Sequence, residues 1–262
     1  MKIVVCIKQV PGTTQVDIDE KTGVLKRDGV ESKINPYDLY ALETALRLKE
    51  MWPGASTVAL TMGPPQAEQS LREALMMGID EVVLVTDRRF GGADVLATSH
   101  TLSQAIVALG ETGVIVCGQQ TTDGDTAQVG PGIAAHLDIP QTCFVRKIES
   151  IDSCKAQVQR LMEDGYDTVQ MQLPGLISVV KEINNPRLPS LRGKRSARNA
   201  ELKILTAEDL NLDEAKIGLN GSPTQVLNIF SPKHDKQVEK FDGDPEQAVD
   251  LIVKRLDEFT KR

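Results

Sequence analysis

Residues 113–117 read GVIVC, residues 118–132 continue GQQTTDGDTAQVGPG, and AAHL follows at 134–137. A short apolar run rich in β-branched residues is the pattern of a strand buried on both faces. The polar stretch after it holds four glycines, three threonines and two aspartates where a strand hands over to a helix. Such a loop either cradles a ligand or connects two core elements, and its chemistry admits both readings. Gly118 and Gly124 permit a close backbone approach or a positive φ. Thr126 is placed to cap the coming helix, whose first N–H groups, over residues 126–129, would face a phosphate. Asp123 and Asp125 would repel that phosphate, so one of them suits ribose hydroxyls or a further cap. A plain capped connection explains the same residues. Neither G-x-G-x-x-G nor G-x-x-x-x-G-K-[ST] occurs, which excludes the two commonest phosphate fingerprints.

Upstream, the same handover repeats. IVVCI (3–7), STVALTM (56–62) and EVVLVT (81–86) read as strands. Between them stand a helix opened by Pro36 with Asn35 as N-cap, a helix over QAEQSLREALMMG ending at Gly78, and ADVLATSHTLSQAIVAL with Asp94 at its start. VDIDEKTGVLKRDG (16–29) alternates about Lys21-Thr22-Gly23 as a hairpin would. Downstream of Pro140, VRKIES, KAQVQRLME, DTVQMQ and GLISVV lack intervening helices and read as antiparallel additions. The expected fold is therefore α/β: a mainly parallel, twisted, Rossmann-like sheet with helices on both faces, antiparallel additions and an extended C-terminal arm. Its core spans 1–183. The arm, 184–262, has little core of its own until PEQAVDLIVKRLDEF (245–259), an amphipathic helix with Ala248, Leu251, Ile252 and Leu256 on one face.

Composition narrows the function. Hydrophobic residues make up 40% and aromatics 3%, so the core is aliphatic. A net charge of −7 disfavours nucleic acid. The local basic tract PRLPSLRGKRSARN (186–199) reads by composition as a solvated tail. Cys6, Cys117, Cys143 and Cys154 form no C-x-x-C and read as buried, reduced thiols. His100, His136 and His234 are too scattered for a metal site. With no span of about 18–20 apolar residues, a soluble, cytoplasmic protein without membrane insertion is expected.

All the chemically unusual segments follow strands, where open parallel sheets bind ligands. VVCIKQVP at the N-terminus, GVESKINPYDLYALETALRLKE (29–50), TMGPPQAEQSLREALMMGID (61–80), GQQTTDGDTAQVGPGIAAHLDIPQ (118–141) and VQRLMEDGYDTVQMQLPGLISV (158–179) together resemble the beta subunit of electron-transfer flavoproteins. The last stretch is similar to the family's signature, with Asp167 where Glu or Gln is usual. The resemblance implies an adenine-nucleotide site. Its residues would be Cys6; Asn35, Pro36, Tyr37 and Asp38; Met62; and the loop Gly118, Gln119, Gln120, Thr121, Thr122, Asp123, Gly124, Asp125, Thr126, Ala127, Gln128 and Val129. In conventional members the ligand is AMP. In the electron-bifurcating type, which the loop and the helix entry GGADVLATSHTL resemble more, it is a second FAD reduced by NAD(H), with Asp94–Thr98 near the NAD site.

The resemblance further implies a redox carrier in a heterodimer with an alpha subunit, working in anaerobic metabolism. One electron would go to ferredoxin or flavodoxin. The other would pass through the alpha-subunit FAD to an acyl-CoA or 2-hydroxyacid dehydrogenase. Leu191, with Arg192 beside it, falls where the family's recognition loop meets that dehydrogenase, and the terminal helix would pack on the alpha subunit. Two other readings remain open: a conventional flavoprotein subunit holding AMP, and a nucleotide-binding regulatory domain.

Overall fold

The computed structural model describes residues 1–12, 32–227, 240–241 and 243–260. The hairpin expected at 16–29 lies outside them. The chain forms two compact units, Met1–Leu227 and Asn228–Arg262.

The first unit is built on a nine-stranded sheet. Its parallel core uses β1 (Lys2–Cys6), β4 (Ser56–Met62), β5 (Glu81–Val85) and β6 (Val114–Gly118). The connecting helices are α1 (Pro36–Met51), α2 (Glu68–Met77) and α3 (Val95–Ala108), with α4 (Val129–Leu137) after β6. β2 (Gln9–Pro11) and β3 (Ser32–Ile34) form a separate antiparallel pair. Then come β7 (Gln141–Ile151), β8 (Lys155–Leu161), β9 (Tyr166–Gln172) and β10 (Gly175–Val179), followed by α5 (Leu191–Asn199) and β11 (Lys203–Leu205). The sheet order is β11-β5-β4-β1-β6-β10-β7-β8-β9.

Strand residues alternate between two cores. Ile3, Val5 and Ile7 pack with Leu42, Leu46 and Leu71 from α1 and α2. Val4 and Cys6 pack with Leu102, Ile106 and Ile133 from α3 and α4. Burying each such Leu, Ile or Val side chain stabilises the fold by roughly 1.5–3 kcal/mol. Gly78 ends α2 at φ 121°, as its place after the last apolar residue requires.

One strand departs from expectation. GLISVV is not an antiparallel addition: β10 lies in the middle of the sheet, parallel to both β6 and β7. All five of its residues are buried, which is what a mostly apolar run without polar alternation means in a two-faced sheet. β7 is antiparallel only to β8, and β8 to β9.

The segment after 183 also contributes more than its composition implied. β11 adds a parallel strand beside β5, and Ala197, Leu205, Ala207 and Ile217 are buried. The basic tract is a helix, α5, capped by Ser190 Oγ accepting from the Gly193 N–H at 2.9 Å. A Cβ at Gly193 would overlap the Met76 carbonyl, so only glycine lets α5 lie against the end of α2.

In the second unit, α6 (Pro245–Thr260) carries the expected apolar face. Ala248, Leu251, Ile252, Leu256 and Phe259 join Phe241 around a shallow hollow of about 380 Å³.

Candidate functional site

The order β5-β4-β1-β6 reverses direction between β1 and β6, because the chain builds outward from β1 on one side and then returns to its other side. At such a reversal a parallel sheet leaves a crevice at the carboxyl ends of the two strands. The residues expected to bind a ligand converge there.

Asn35 occupies the N-cap position of α1 but does not cap it. Its side chain, fully buried, instead reaches the loop after β6. Nδ2 donates to the Gln120 carbonyl at 2.8 Å, and Oδ1 accepts from the Thr122 N–H at 3.2 Å. Pro36 supplies the fixed φ of the first helical position. Tyr37 and Asp38 bring the backbone of α1 against Gly118: a Cβ there would overlap Asp38 Oδ1 and lie 2.8 Å from the Tyr37 carbonyl carbon. Gly118 is thus required by helix packing and not by a positive φ. Gly124 has ordinary room, 3.5 Å from Thr121 Oγ1. The positive φ values belong to Asp125 (49°) and Ala127 (54°).

Asp38 is buried beneath the crevice and accepts the Lys8 N–H at 2.7 Å. Burial pushes its carboxyl up to about 7, against the opposing pull of bonds from Asn35, Lys8 and Gly118. Above it, Lys8 Nζ contacts both oxygens of Asp123, at 2.8 and 2.7 Å. Burial works against the Asp123 charge, yet Lys8 wins and holds that carboxyl below its ordinary value. Asp125 Oδ1 accepts from Gln120 Nε2 at 2.9 Å, and Gln119 Nε2 donates to Gln120 Oε1 at 3.2 Å. Both aspartates of the loop are therefore engaged, Asp123 by Lys8 after β1 and Asp125 by Gln120 within the loop. Lys8 was missed as a site residue, although its place directly after a strand at the reversal was visible.

Thr126 does not cap α4. The helix starts later, at Val129, with Gln128 in the cap position and no side-chain cap bond. Ala127 at positive φ followed by Gln128 in the right-handed region is the alternation that turns successive N–H groups into one concavity. Among the described residues no group accepts from the N–H groups of Ala127, Gln128, Val129 or Gly130. Pro131 offers none. The loop thus holds a set of open backbone donors, shifted about one residue later than the sequence indicated.

Cys6 and Cys117 are register partners across β1 and β6. A hydrogen bond with Cys6, together with burial, pushes the Cys117 thiol well above its ordinary value. Cys143 is half-buried and Cys154 exposed, so the expectation of four buried thiols holds for two of them; all four are free. Met62 ends β4, half-buried, two positions beyond Leu60, which pairs with Cys6. His100 and His136, apart in sequence, meet edge to face with ring centroids 5.3 Å apart on α3 and α4. No group of three or more His, Cys, Asp or Glu suited to a metal occurs among the described residues, and no described helix is long and apolar enough to cross a membrane.

Two expected features lie elsewhere. Asp94 caps α3 through Oδ1, while Oδ2 accepts from Thr224 N and Oγ1 at 3.1 and 2.8 Å. Leu191 is 86% exposed at the start of α5, and Arg192 follows it. The segment before them is pinned by Arg187, whose guanidinium bonds Glu43 at 2.7 Å and Glu50 at 2.7 Å.

Residues 22–210 match the electron transfer flavoprotein domain model. The chain belongs to the electron transfer flavoprotein family. It is 50% identical over 257 residues to an electron transfer flavoprotein subunit beta of Thermoanaerobacterium thermosaccharolyticum, covering 98% of each chain. It is 49% identical over 232 residues to the caffeyl-CoA reductase-Etf complex subunit CarD of Acetobacterium woodii, covering 88% of each. To protein FixA of Azorhizobium caulinodans it is 46% identical over 239 residues, 88% of this chain and 85% of that one. It is a beta subunit of this electron transfer flavoprotein family.

Proposed function

We propose that this beta subunit binds the adenine half of FAD in the β1–β6 crevice and works, with an alpha subunit, as an NADH-using electron-bifurcating flavoprotein. The observation that carries the nucleotide site is the run of open N–H groups at Ala127–Gly130, set where Asn35 ties the loop to α1. Those donors fit a phosphate, the start of α4 adds its positive dipole end, and the loop's carboxylates are occupied by Lys8 and Gln120. Cys6, Asn35–Asp38, Met62 and Gly118–Val129 would hold the group. When bound, the flavin supplies the redox chemistry, taking electrons in pairs and releasing them singly. The chain's own residues position it and exclude water.

The bifurcating reading is supported by likeness to the CarD subunit of a reductase complex and to FixA proteins. In it, NADH is the donor, ferredoxin or flavodoxin takes one electron, and the other passes through the alpha-subunit FAD to an acyl-CoA or 2-hydroxyacid dehydrogenase. Leu191 and Arg192 would meet that dehydrogenase, and the arm from 184 onward, ending in α6, would pack on the alpha subunit. The test is co-purification with the alpha subunit, a flavin count and anaerobic NADH titration. Two flavins per heterodimer with bleaching by NADH are expected. One flavin with one AMP, unbleached by NADH, would assign the conventional carrier instead.

A further inference from the structure

We infer that Lys8 is an exchangeable cation at the nucleotide site: Asp123 holds its ammonium in the free chain, and the diphosphate of a bound nucleotide takes it over. This rests on the nucleotide reading above and adds to it a residue and a direction of motion.

The root of Lys8 is fixed and its tip is not. Its N–H is bound to Asp38 Oδ2 at 2.7 Å, and its carbonyl accepts the Asn35 N–H at 2.9 Å. The side chain therefore always leaves the end of β1 at the point where the sheet reverses. Its side chain is 45% exposed, and that of Asp123 is 33% exposed. Exposed ion pairs of this kind add little stability, because water screens them and two side chains must be held in one geometry. The pair is easily broken in favour of a stronger anion.

Charge balance supplies the need. The loop carries Asp123 and Asp125, and Asp38 lies beneath it. Among the described residues Lys8 is the one cationic side chain with a hydrogen bond to this loop. A diphosphate at the Ala127–Gly130 donors would bring two more negative charges to the loop that carries Asp123. Backbone donors alone leave that repulsion standing, whereas an ammonium moved from carboxylate to phosphate removes it and makes a charge-assisted bond. The loop keeps its shape when Asp123 lets go. Asn35 holds Gln120 and Thr122, Gln120 holds Asp125, and the Asp125 N–H bonds the Thr121 carbonyl at 3.0 Å. Asp123 also bonds the Thr121 side chain, but the ties of the loop to α1 run through Asn35 and not through Asp123, which behaves as an internal competitor for the cation.

The test uses the full chain in its heterodimer, with the alpha-subunit flavin retained and the beta-subunit nucleotide removed. ADP, AMP and FAD are titrated calorimetrically into the wild type, Lys8→Gln, Lys8→Arg and Asp123→Asn. Lys8→Gln should weaken ADP by about tenfold or more, the size of one charge-assisted bond, and flatten its salt dependence. Lys8→Arg should restore most of the affinity. Asp123→Asn should tighten ADP, because the competitor is gone. Loss of FAD binding alongside ADP in Lys8→Gln assigns the diphosphate to a dinucleotide; loss of ADP alone assigns it to a free nucleoside diphosphate. Wild-type ADP binding that Lys8→Gln leaves unchanged overturns the exchange, as does an Asp123→Asn variant that weakens ADP. A wild type that binds none of the three overturns the nucleotide reading itself, and the exchange with it.

Discussion

Asn35 and Gln120 stand 85 positions apart in the chain and are joined by a 2.8 Å bond from Asn35 Nδ2 to the Gln120 carbonyl. The same side chain takes the Thr122 N–H, so one buried amide holds two points of the loop after β6 against the start of α1. Replacing it with alanine takes the partner from the carbonyl of half-buried Gln120 and from the N–H of exposed Thr122. Asn35→Ala should cost about 1–3 kcal/mol of stability. It should also speed amide exchange locally at residues 119–123 while the β4 and β5 amides stay protected. Uniform exchange across the sheet would show that the amide is merely part of the core.

Gly118 and Gly124 offer a matched pair of glycines with opposite expectations. A methyl at 118 would run into Asp38 Oδ1 and lie 2.8 and 2.9 Å from the backbone of Tyr37 and Asp38. Because helix and strand backbone cannot yield as a side chain can, Gly118→Ala should cost roughly 2–4 kcal/mol. Gly124→Ala meets only Thr121 Oγ1 at 3.5 Å and should lie within about 0.5 kcal/mol of wild type. Chemical denaturation of both variants checks the contrast. Equal effects would remove the packing argument for Gly118.

These two glycines also mark what the amino-acid order reveals and what it hides. Periodicity located β4 residue for residue, because an apolar run between Pro-Gly and Gly-Pro breaks has little freedom. It located the site as well, since chemically unusual residues follow β1, β4 and β6. It could not show that Gly118 answers to Asp38, because that contact joins segments about 80 residues apart. β10 was misassigned because four successive β runs were read as one group. Its mostly apolar pattern differs from the alternation of β8, and that difference points to a central position. Thr126 lost the cap because positive φ at Asp125 and Ala127 delays the helix, a local backbone choice that non-glycine residues do not advertise. α5 was hidden by a basic composition whose packing depends on a single glycine against α2.

Asp38 sets the sign of a pH effect. Burial raises its carboxyl to about 7 in the folded chain from an ordinary 3.8, so between those values the folded state holds a proton that the unfolded state has lost. Stability from this group is greatest at low pH and falls as pH rises toward 7, on the order of 1 kcal/mol per pH unit inside the window. The charged groups around it are Lys8, which favours ionisation, and the Cys117 thiol, whose own proton Asp38 helps retain. Asp38→Asn carries no such titration. The difference in melting temperature, wild type minus variant, should therefore shrink or reverse as pH goes from 5 to 8. A difference that is constant over that range would place the carboxyl at its ordinary value and remove it from any account of the crevice.

Arg187 and Leu191 lie four residues apart and should separate stability from partner recognition. Glu43 is almost fully buried on α1. Burial alone would raise its carboxyl, but bonds from Arg187 and Arg47 hold it below the ordinary value. Arg187→Ala strips one of its two guanidinium partners and should cost about 1–3 kcal/mol, less than a wholly unpaired buried charge because Arg47 remains at 2.7 Å. Leu191 touches little, being 86% exposed, and Leu191→Ala should leave the unfolding free energy within about 0.5 kcal/mol of wild type. On the proposed bifurcating reading, its effect should appear in electron exchange with a dehydrogenase partner, as a lower rate at limiting partner concentration with NADH reduction of the flavin unchanged. Stopped-flow measurement of both half-reactions separates the two. If Leu191→Ala slows neither, α5 does not present the recognition residue. If it slows the NADH step, the start of α5 bears on the flavin site itself.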